Sequence, residues 1–279
     1  MKIKKSLNIF GQMVSLETPV VMGILNVTPD SFFEGSRHQS EKTLLDKAEV
    51  MLTDGATFLD VGGYSSRPGA AEVSEEDELK RVIPAVRAIM KEFPHALLSV
   101  DTFRSEVANR ALDAGAAIIN DISGGQLDEN MYTVVSKWKC PYILMHMKGT
   151  PQNMMDSAEY ANLLVEILEY FSEKISLLRK KGVADIIIDP GFGFAKNITQ
   201  NYKLLKDLSH LKVLGLPILA GISRKSMIYK KLEINSQEAL NGTTVLNSFA
   251  LMNGASILRV HDVKEASEAI CLYKEMIKD

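Results

Sequence analysis

A closed (β/α)8 barrel is the fold class that this 279-residue sequence predicts, and three observations carry that reading. Eight short apolar runs end in polar, Gly-punctuated residues, at 21–32, 58–69, 97–103, 117–125, 142–151, 184–189, 218–226 and 256–263. Segments with three-to-four apolar spacing lie between them, as α-helices that alternate with strands require. Polar residues stand at the C-terminal ends of many different runs, the arrangement of a barrel, while the GxGxxG turn of a doubly wound dinucleotide-binding sheet is absent.

Residues 1–18 precede the first run as short alternating segments around Gly11, which read as a hairpin-like extension. No low-complexity linker divides 1–279, so one barrel domain is expected. Helices fit 41–54, 105–114, 129–137, 199–211, 236–253 and 263–277 by their apolar period. In SEEDELKRVIPAVRAIMKEF, from Ser74, a hydroxyl cap precedes an acidic first turn, with Pro84 expected to kink the helix or mark its packing. Over 157–181, Leu163, Leu164, Ile167, Leu168, Phe171, Ile175 and Leu178 make one buried face, and Gly182 ends the helix.

Composition narrows the function classes. Hydrophobic residues at 46% and charged ones at 24% suit a globular core. A net charge of -3 argues against nucleic acid and membrane surfaces as partners. Cys140 and Cys271, the two cysteines, lack CxxC spacing and support neither a disulfide framework nor a structural zinc site. No eighteen-residue apolar window occurs, and the start of the sequence lacks the unbroken apolar core of a signal peptide, so a cytoplasmic location is expected.

Strand-end residues of a barrel share one bowl, here Asn26, Asp60, Ser65, Ser66, Arg67, Asp101, Asn120, Asp121, His146, Asp189, Arg224, Lys225, Ser226, Arg259 and His261. Asp101, Asn120 and Asp189, with Lys225, suit a planar ring bearing several N–H groups. Arg67, Arg259 and His261, with the hydroxyls of Ser65 and Ser66, suit anionic oxygens. Asn26 offers a neutral oxygen to magnesium, an ion that keeps most of its waters and bridges to phosphates. A nitrogen heterocycle carrying phosphates is therefore the implied substrate. Taken singly, each residue has a plainer role: Asp101 caps a helix as readily as it binds, Asn120 and Asp121 form turns, Arg224 and Lys225 make a charge pair at a helix start, and His146 is a structural histidine.

GILNVTPDSF, GGYSSRPGA, DPGFGFAKN and SRKSMI stand in order along the chain, and with them the sequence from about Val20 to Val263 resembles the dihydropteroate synthase family. The resemblance implies a (β/α)8 barrel, usually homodimeric and a sulfonamide target, that joins 6-hydroxymethyl-7,8-dihydropterin pyrophosphate to p-aminobenzoate, giving 7,8-dihydropteroate and pyrophosphate. It implies that Asp101, Asn120, Asp189 and Lys225 bind the pterin, with Asp101, Asp189 and Lys225 as the catalytic candidates. Asn26, Ser66, Arg67, Arg259 and His261 would hold the pyrophosphate, with Mg2+ at Asn26. Ser66, Arg67, Pro68, Phe192, Lys225 and Ser226 would border p-aminobenzoate. The first two strand-end loops would close over the substrates.

Glu34 and Ser36 stand where the family usually has Asp and Gly, Tyr64 and Ser66 where Glu and Thr are common, and Ala195 where Gly often follows FGF. None of these departures removes a proposed pterin or pyrophosphate contact. A methyltransferase using methyltetrahydrofolate shares the Asp/Asn ring contacts but has no pyrophosphate to bind, so SRKS and the Arg259/His261 pair weigh against it. A catalytically silent pterin-binding barrel is the third reading; retention of both the ring and the anion sets weighs against it.

Overall fold

A computed structural model describes residues 3–27, 37–64, 73–150, 154 and 158–278, with side chains described from residue 40 onward in the second stretch. Ser65, Ser66, Arg67, Pro68, Glu34 and Ser36 lie outside the described residues.

The chain opens with β1 (Ser6–Ile9) and β2 (Gln12–Ser15), an antiparallel hairpin turned through Phe10 and Gly11, both at positive φ. Eight parallel strands follow: β3 (Val20–Asn26), β4 (Ala56–Gly62), β5 (Leu97–Asp101), β6 (Ile118–Asp121), β7 (Tyr142–Met145), β8 (Ile186–Asp189), β9 (Leu219–Ala220) and β10 (Ile257–Val260). Their order is β8-β7-β6-β5-β4-β3-β10-β9, and the Ile188–Ile218 bridge brings the two ends together into a nearly closed barrel.

Side chains two apart along a strand share a face, so each strand writes one column of the barrel interior. The lower positions are Met22, Phe58, Ile118, Ile143, Ile187, Leu219 and Ile257, which pack with Leu7, Ile9 and Leu16 of the hairpin segment. The hairpin therefore plugs the N-terminal mouth, held there by the Lys4–Asp185 ion pair at 2.8 Å and by the Asn8 N–H donating to Asp185 at 3.2 Å. Two residues further along, the same columns become Ile24, Asp60, Asn120, Met145, Asp189, Gly221 and Arg259. An apolar floor thus carries a polar mouth, and this period-2 switch builds the site.

Helices α1 (Arg37–Thr53), α2 (Glu75–Glu92), α3 (Ser105–Asp113), α4 (Met131–Trp138) and α5 (Leu163–Lys180) follow β3 to β7 in turn. After β8 come α6 (Ile198–Lys206) and a 3-10 turn at Leu208–Leu214, after β9 come α7 (Ser226–Leu232) and α8 (Leu240–Met252), and α9 (Val263–Met276) follows β10. Pro84 sits inside α2, which continues to Glu92. The α2 cap is as the sequence predicts: the Ser74 hydroxyl accepts from the Asp77 N–H at 3.1 Å. Ser74→Ala should lower stability by about 1 kcal/mol in a denaturant titration.

Helix boundaries differ from expectation at several places: α1 starts at Arg37 rather than 41, and at two others a short polar side chain captures backbone. Asn162 caps α5 by accepting from the Val165 N–H, so that helix starts at Leu163 rather than near 157. The Asn235 carboxamide accepts from the N–H groups of Gln237 and Glu238, which holds a turn where α8 was expected to begin. The expected helix at 199–211 breaks at Asp207 and tightens into the 3-10 turn.

Candidate active site

Strand register lines up the rim of the bowl. Asn26 pairs with Gly62, Gly62 with Asp101, and Asp101 with Asn120. Gly62 sits between Asn26 and Asp101, where an added Cβ would be within van der Waals reach of both the Asn26 Oδ1 and the Asp101 Cβ. Asn26 is exposed at the end of β3, whereas Asn120 and Asp189 are buried and Asp101, Lys225, Ser226, Arg259 and His261 are partly so.

The centre of the bowl is an ionic network. Arg259 donates from Nε to Asp60 Oδ2 at 2.6 Å and from Nη2 to Asp101 Oδ2 at 2.7 Å. Asn120 Nδ2 donates to the same Asp60 oxygen at 2.9 Å. Asp60 is wholly buried, and its Oδ1 has no hydrogen-bond partner among the described residues. Asp60 is thus the post on which Arg259 and Asn120 are both aligned, a role that its place at a strand end did not by itself reveal. Burial pushes Asp101 up to about 7, with Arg259 pulling the other way.

On the opposite wall, Asp189 Oδ1 accepts the Gly191 N–H at 2.8 Å, and the Lys225 ammonium supplies the nearby opposite charge. Gly221 lies beside both groups, where an added Cβ would be 3.8 Å from Asp189 Oδ2 and 3.9 Å from Lys225 Nζ. Lys225 donates to the Phe192 carbonyl and stands 4.6 Å from the centre of the Phe194 ring. Burial lowers Lys225 to about 8, with Asp189 opposing the shift.

Phe192 itself does not present a ring to the bowl. Its side chain is fully buried in the core between barrel and helices, and only its carbonyl reaches Lys225. The half-buried Phe194, two residues on, supplies the aromatic face. Positive φ at Gly191 and Gly193 reverses the chain between them, so the alternation of a strand cannot be carried into this loop.

His261 and Ser223 are joined by an Oγ–Nδ1 contact of 3.0 Å, which orients the imidazole beyond the end of β10. Three other residues grouped with the bowl serve the scaffold. Arg224 clamps Asp262 with two hydrogen bonds of 2.9 and 2.6 Å and donates to the Ser236 and Gln237 carbonyls. Asp121 accepts from the Ser123 backbone and hydroxyl, from Gly125 and from the Tyr142 hydroxyl, as a turn former would. His146 is buried against Lys196, 3.0 Å from its ammonium.

Two of the departures acquire surroundings. Tyr64 packs edge-on against Phe103 with ring centres 5.2 Å apart and lies beside Arg104, which pairs with buried Glu78. Ala195 adopts φ 48°, a conformation that costs an alanine roughly 1–2 kcal/mol, and its methyl packs with Ile122, Met145, Met147 and Met154.

The profile of a family described as pterin binding enzyme matches residues 22–261. Dihydropteroate synthase of Escherichia coli (strain K12) is 45% identical over 262 residues, 93% of this chain and 92% of that protein. The chain belongs to the dihydropteroate synthase family. Among solved members of the family, the Yersinia pestis enzyme in a sulfonamide drug complex superposes with a TM-score of 0.91 at 44% identity, covering 97% of this chain and 98% of that one. The Xanthomonas albilineans dihydropteroate synthase in complex with 7,8-dihydropteroate gives 0.85 at 31% identity, covering 98% of each chain. Membership makes the chain an enzyme, a transferase, and the barrel with its N-terminal hairpin belongs to the family's fold.

Proposed function

We propose that this chain condenses 6-hydroxymethyl-7,8-dihydropterin pyrophosphate with p-aminobenzoate, forming 7,8-dihydropteroate and pyrophosphate. The observation that carries the reading is the single network in which Arg259, an anion-binding side chain, is fastened to Asp101 and, through Asp60, to Asn120. Ring recognition and leaving-group recognition are then parts of one rigid unit.

In this reading Asp101, Asn120 and Asp189 take the ring's N–H groups, and Lys225 donates to it. The CH2–O bond breaks with its electron pair leaving on the pyrophosphate, whose charge Arg259 and His261 spread. Asp101 and Asp189 favour the positive charge that develops on the pterin methylene. The arylamine nitrogen then forms the C–N bond and gives up a proton, with Lys225, Ser226 and the Phe194 ring bordering it. No side-chain nucleophile is needed. Ser66, Arg67 and Pro68 would complete the anion and arylamine sites from the second loop.

Magnesium would be held by Asn26 and the pyrophosphate oxygens, and when bound it would neutralise charge on the leaving group. Asn26, exposed at the end of β3, offers one neutral oxygen, which suits an ion carried mainly by substrate and water. Magnesium-dependent binding of inorganic pyrophosphate, followed by calorimetry, tests the anion site directly; a methyltransferase would lack it.

The raised Asp101 gives a pH test. Below about 7 its carboxyl is protonated and loses an acceptor, so pterin affinity should fall as pH drops, approaching about tenfold per unit well below 7. Asp101→Asn should bind the pterin weakly at every pH and flatten that profile while the barrel stays folded. An unchanged affinity would remove Asp101 from the site.

A homodimer through α8 is part of the proposal, because Val245, Phe249 and Met252 recur at helical spacing and are 46%, 57% and 55% exposed. Light scattering on Phe249→Glu would report it as a monomer. Among the described residues no helix is long and apolar enough to cross a membrane. We place the reaction in the cytoplasm, with neither nucleic acid nor membrane as a partner.

A further inference from the structure

The proposed reaction leaves unexplained a buried ammonium directly behind Asp189 and Phe194. Lys196 is 2% exposed, and its Nζ has three acceptors: His146 Nδ1 at 3.0 Å, the Gly191 carbonyl at 3.1 Å and the Phe194 carbonyl at 3.0 Å. In its charged form Lys196 has three N–H donors for these three acceptors; burial lowers it to about 7, with the Asp189 charge opposing the shift. With Nδ1 accepting, His146 is neutral and carries its proton on Nε2. Burial and the neighbouring Lys196 and Lys148 charges act in the same direction, lowering His146 to about 2.

The two carbonyls bracket the loop that forms one wall of the bowl, and further polar groups of that loop are tied as well. Asp189 holds the Gly191 N–H, Lys225 donates to the Phe192 carbonyl, Asn201 Oδ1 accepts the Gly193 N–H at 2.7 Å, and the Tyr160 hydroxyl donates to the Ala195 carbonyl at 3.0 Å. The His146 backbone N–H donates to the Asp189 carbonyl at 2.9 Å, so this residue links the lysine to the strand that carries the pterin carboxylate. Gly191 lies so close that a Cβ would come within 2.1 Å of the His146 carbonyl oxygen. Burying an amine of this kind is a costly way to fill a core, and here two of its three polar contacts fix this loop while the third ties it to His146.

We infer that Lys196, with His146 as its acceptor, is a positioning residue that fixes the 190–196 loop so that the Phe194 ring and the Lys225 ammonium meet the arylamine. The inference rests on the reaction proposed above. Lys196 touches neither substrate; it acts through the two carbonyls it holds.

The test separates the two substrates. In Lys196→Met the KM for p-aminobenzoate should rise about tenfold or more, while the dissociation constant of the dihydropterin pyrophosphate, read by calorimetry, stays within about threefold of wild type. A p-aminobenzoate KM within threefold of wild type, or an equal loss for both substrates, overturns the inference. If Lys196→Met does not fold, His146 decides: His146→Asn keeps an acceptor near the Nδ1 position and should retain the wild-type KM, and His146→Leu should raise it. Equal values for those two variants overturn the inference. Wild-type protein assayed alongside keeps this separate from the reaction itself, since absence of turnover there would sink the functional proposal instead.

Discussion

Arg259→Ala is expected to weaken pyrophosphate binding by about 2–5 kcal/mol, the range for truncating one partner of a buried, hydrogen-bonded charge set. The guanidinium stands between two carboxylates, at 2.6 Å from Asp60 and 2.7 Å from Asp101. Its removal takes away the anion's charge partner and leaves Asp60, wholly buried, with the Asn120 amide as its remaining hydrogen-bond donor among the described residues. Asp101 also loses the neighbour that draws it downward, so its carboxyl rises further and the pterin contact weakens in step. Calorimetry with pyrophosphate and magnesium reads the first effect; the dihydropterin pyrophosphate titrated at two pH values reads the second. Arg259→Lys should fall between, because an ammonium keeps the charge but cannot reach both carboxylates with a planar fork. A negligible change in Arg259→Ala would move this residue to the solvent rim.

Asp189→Ala is expected to cost the pterin about 2–5 kcal/mol of affinity, for three linked reasons. The ring loses an acceptor. The Gly191 N–H loses the carboxylate oxygen 2.8 Å away that starts the following loop. Lys225, already lowered to about 8 by burial, loses the charge that opposes the shift and becomes neutral at a lower pH. Asp189→Asn separates these effects, since its amide oxygen can still accept from Gly191 while the negative charge is gone. If that variant recovers full affinity, the carboxylate's charge has no part in ring binding.

Much of this was legible in the sequence because a barrel translates strand ends into one surface. Phe58 and Asp60, Ile118 and Asn120, Ile187 and Asp189, and Ile257 and Arg259 each sit two apart on one strand, so an apolar floor and a polar mouth can be read from the alternation. The hairpin around Gly11 and the end of α5 at Gly182 follow from local chemistry in the same way. Contacts between columns were not legible. That Asp60 holds both Arg259 and Asn120 depends on strands far apart in sequence, and nothing local distinguishes it from a turn former. Lys196 reads as one more surface lysine until the path of 190–196 is known. Phe192 and Phe194 differ through glycine conformations that the letters permit but do not require.

Pyrophosphate release by the purified protein, supplied with dihydropterin pyrophosphate and magnesium and assayed with and without p-aminobenzoate, tests the central claim most directly. Release that depends on p-aminobenzoate and is matched mole for mole by 7,8-dihydropteroate is the predicted result. Tight pterin binding with no release under either condition would contradict it and leave a barrel that binds the ring without performing the transfer.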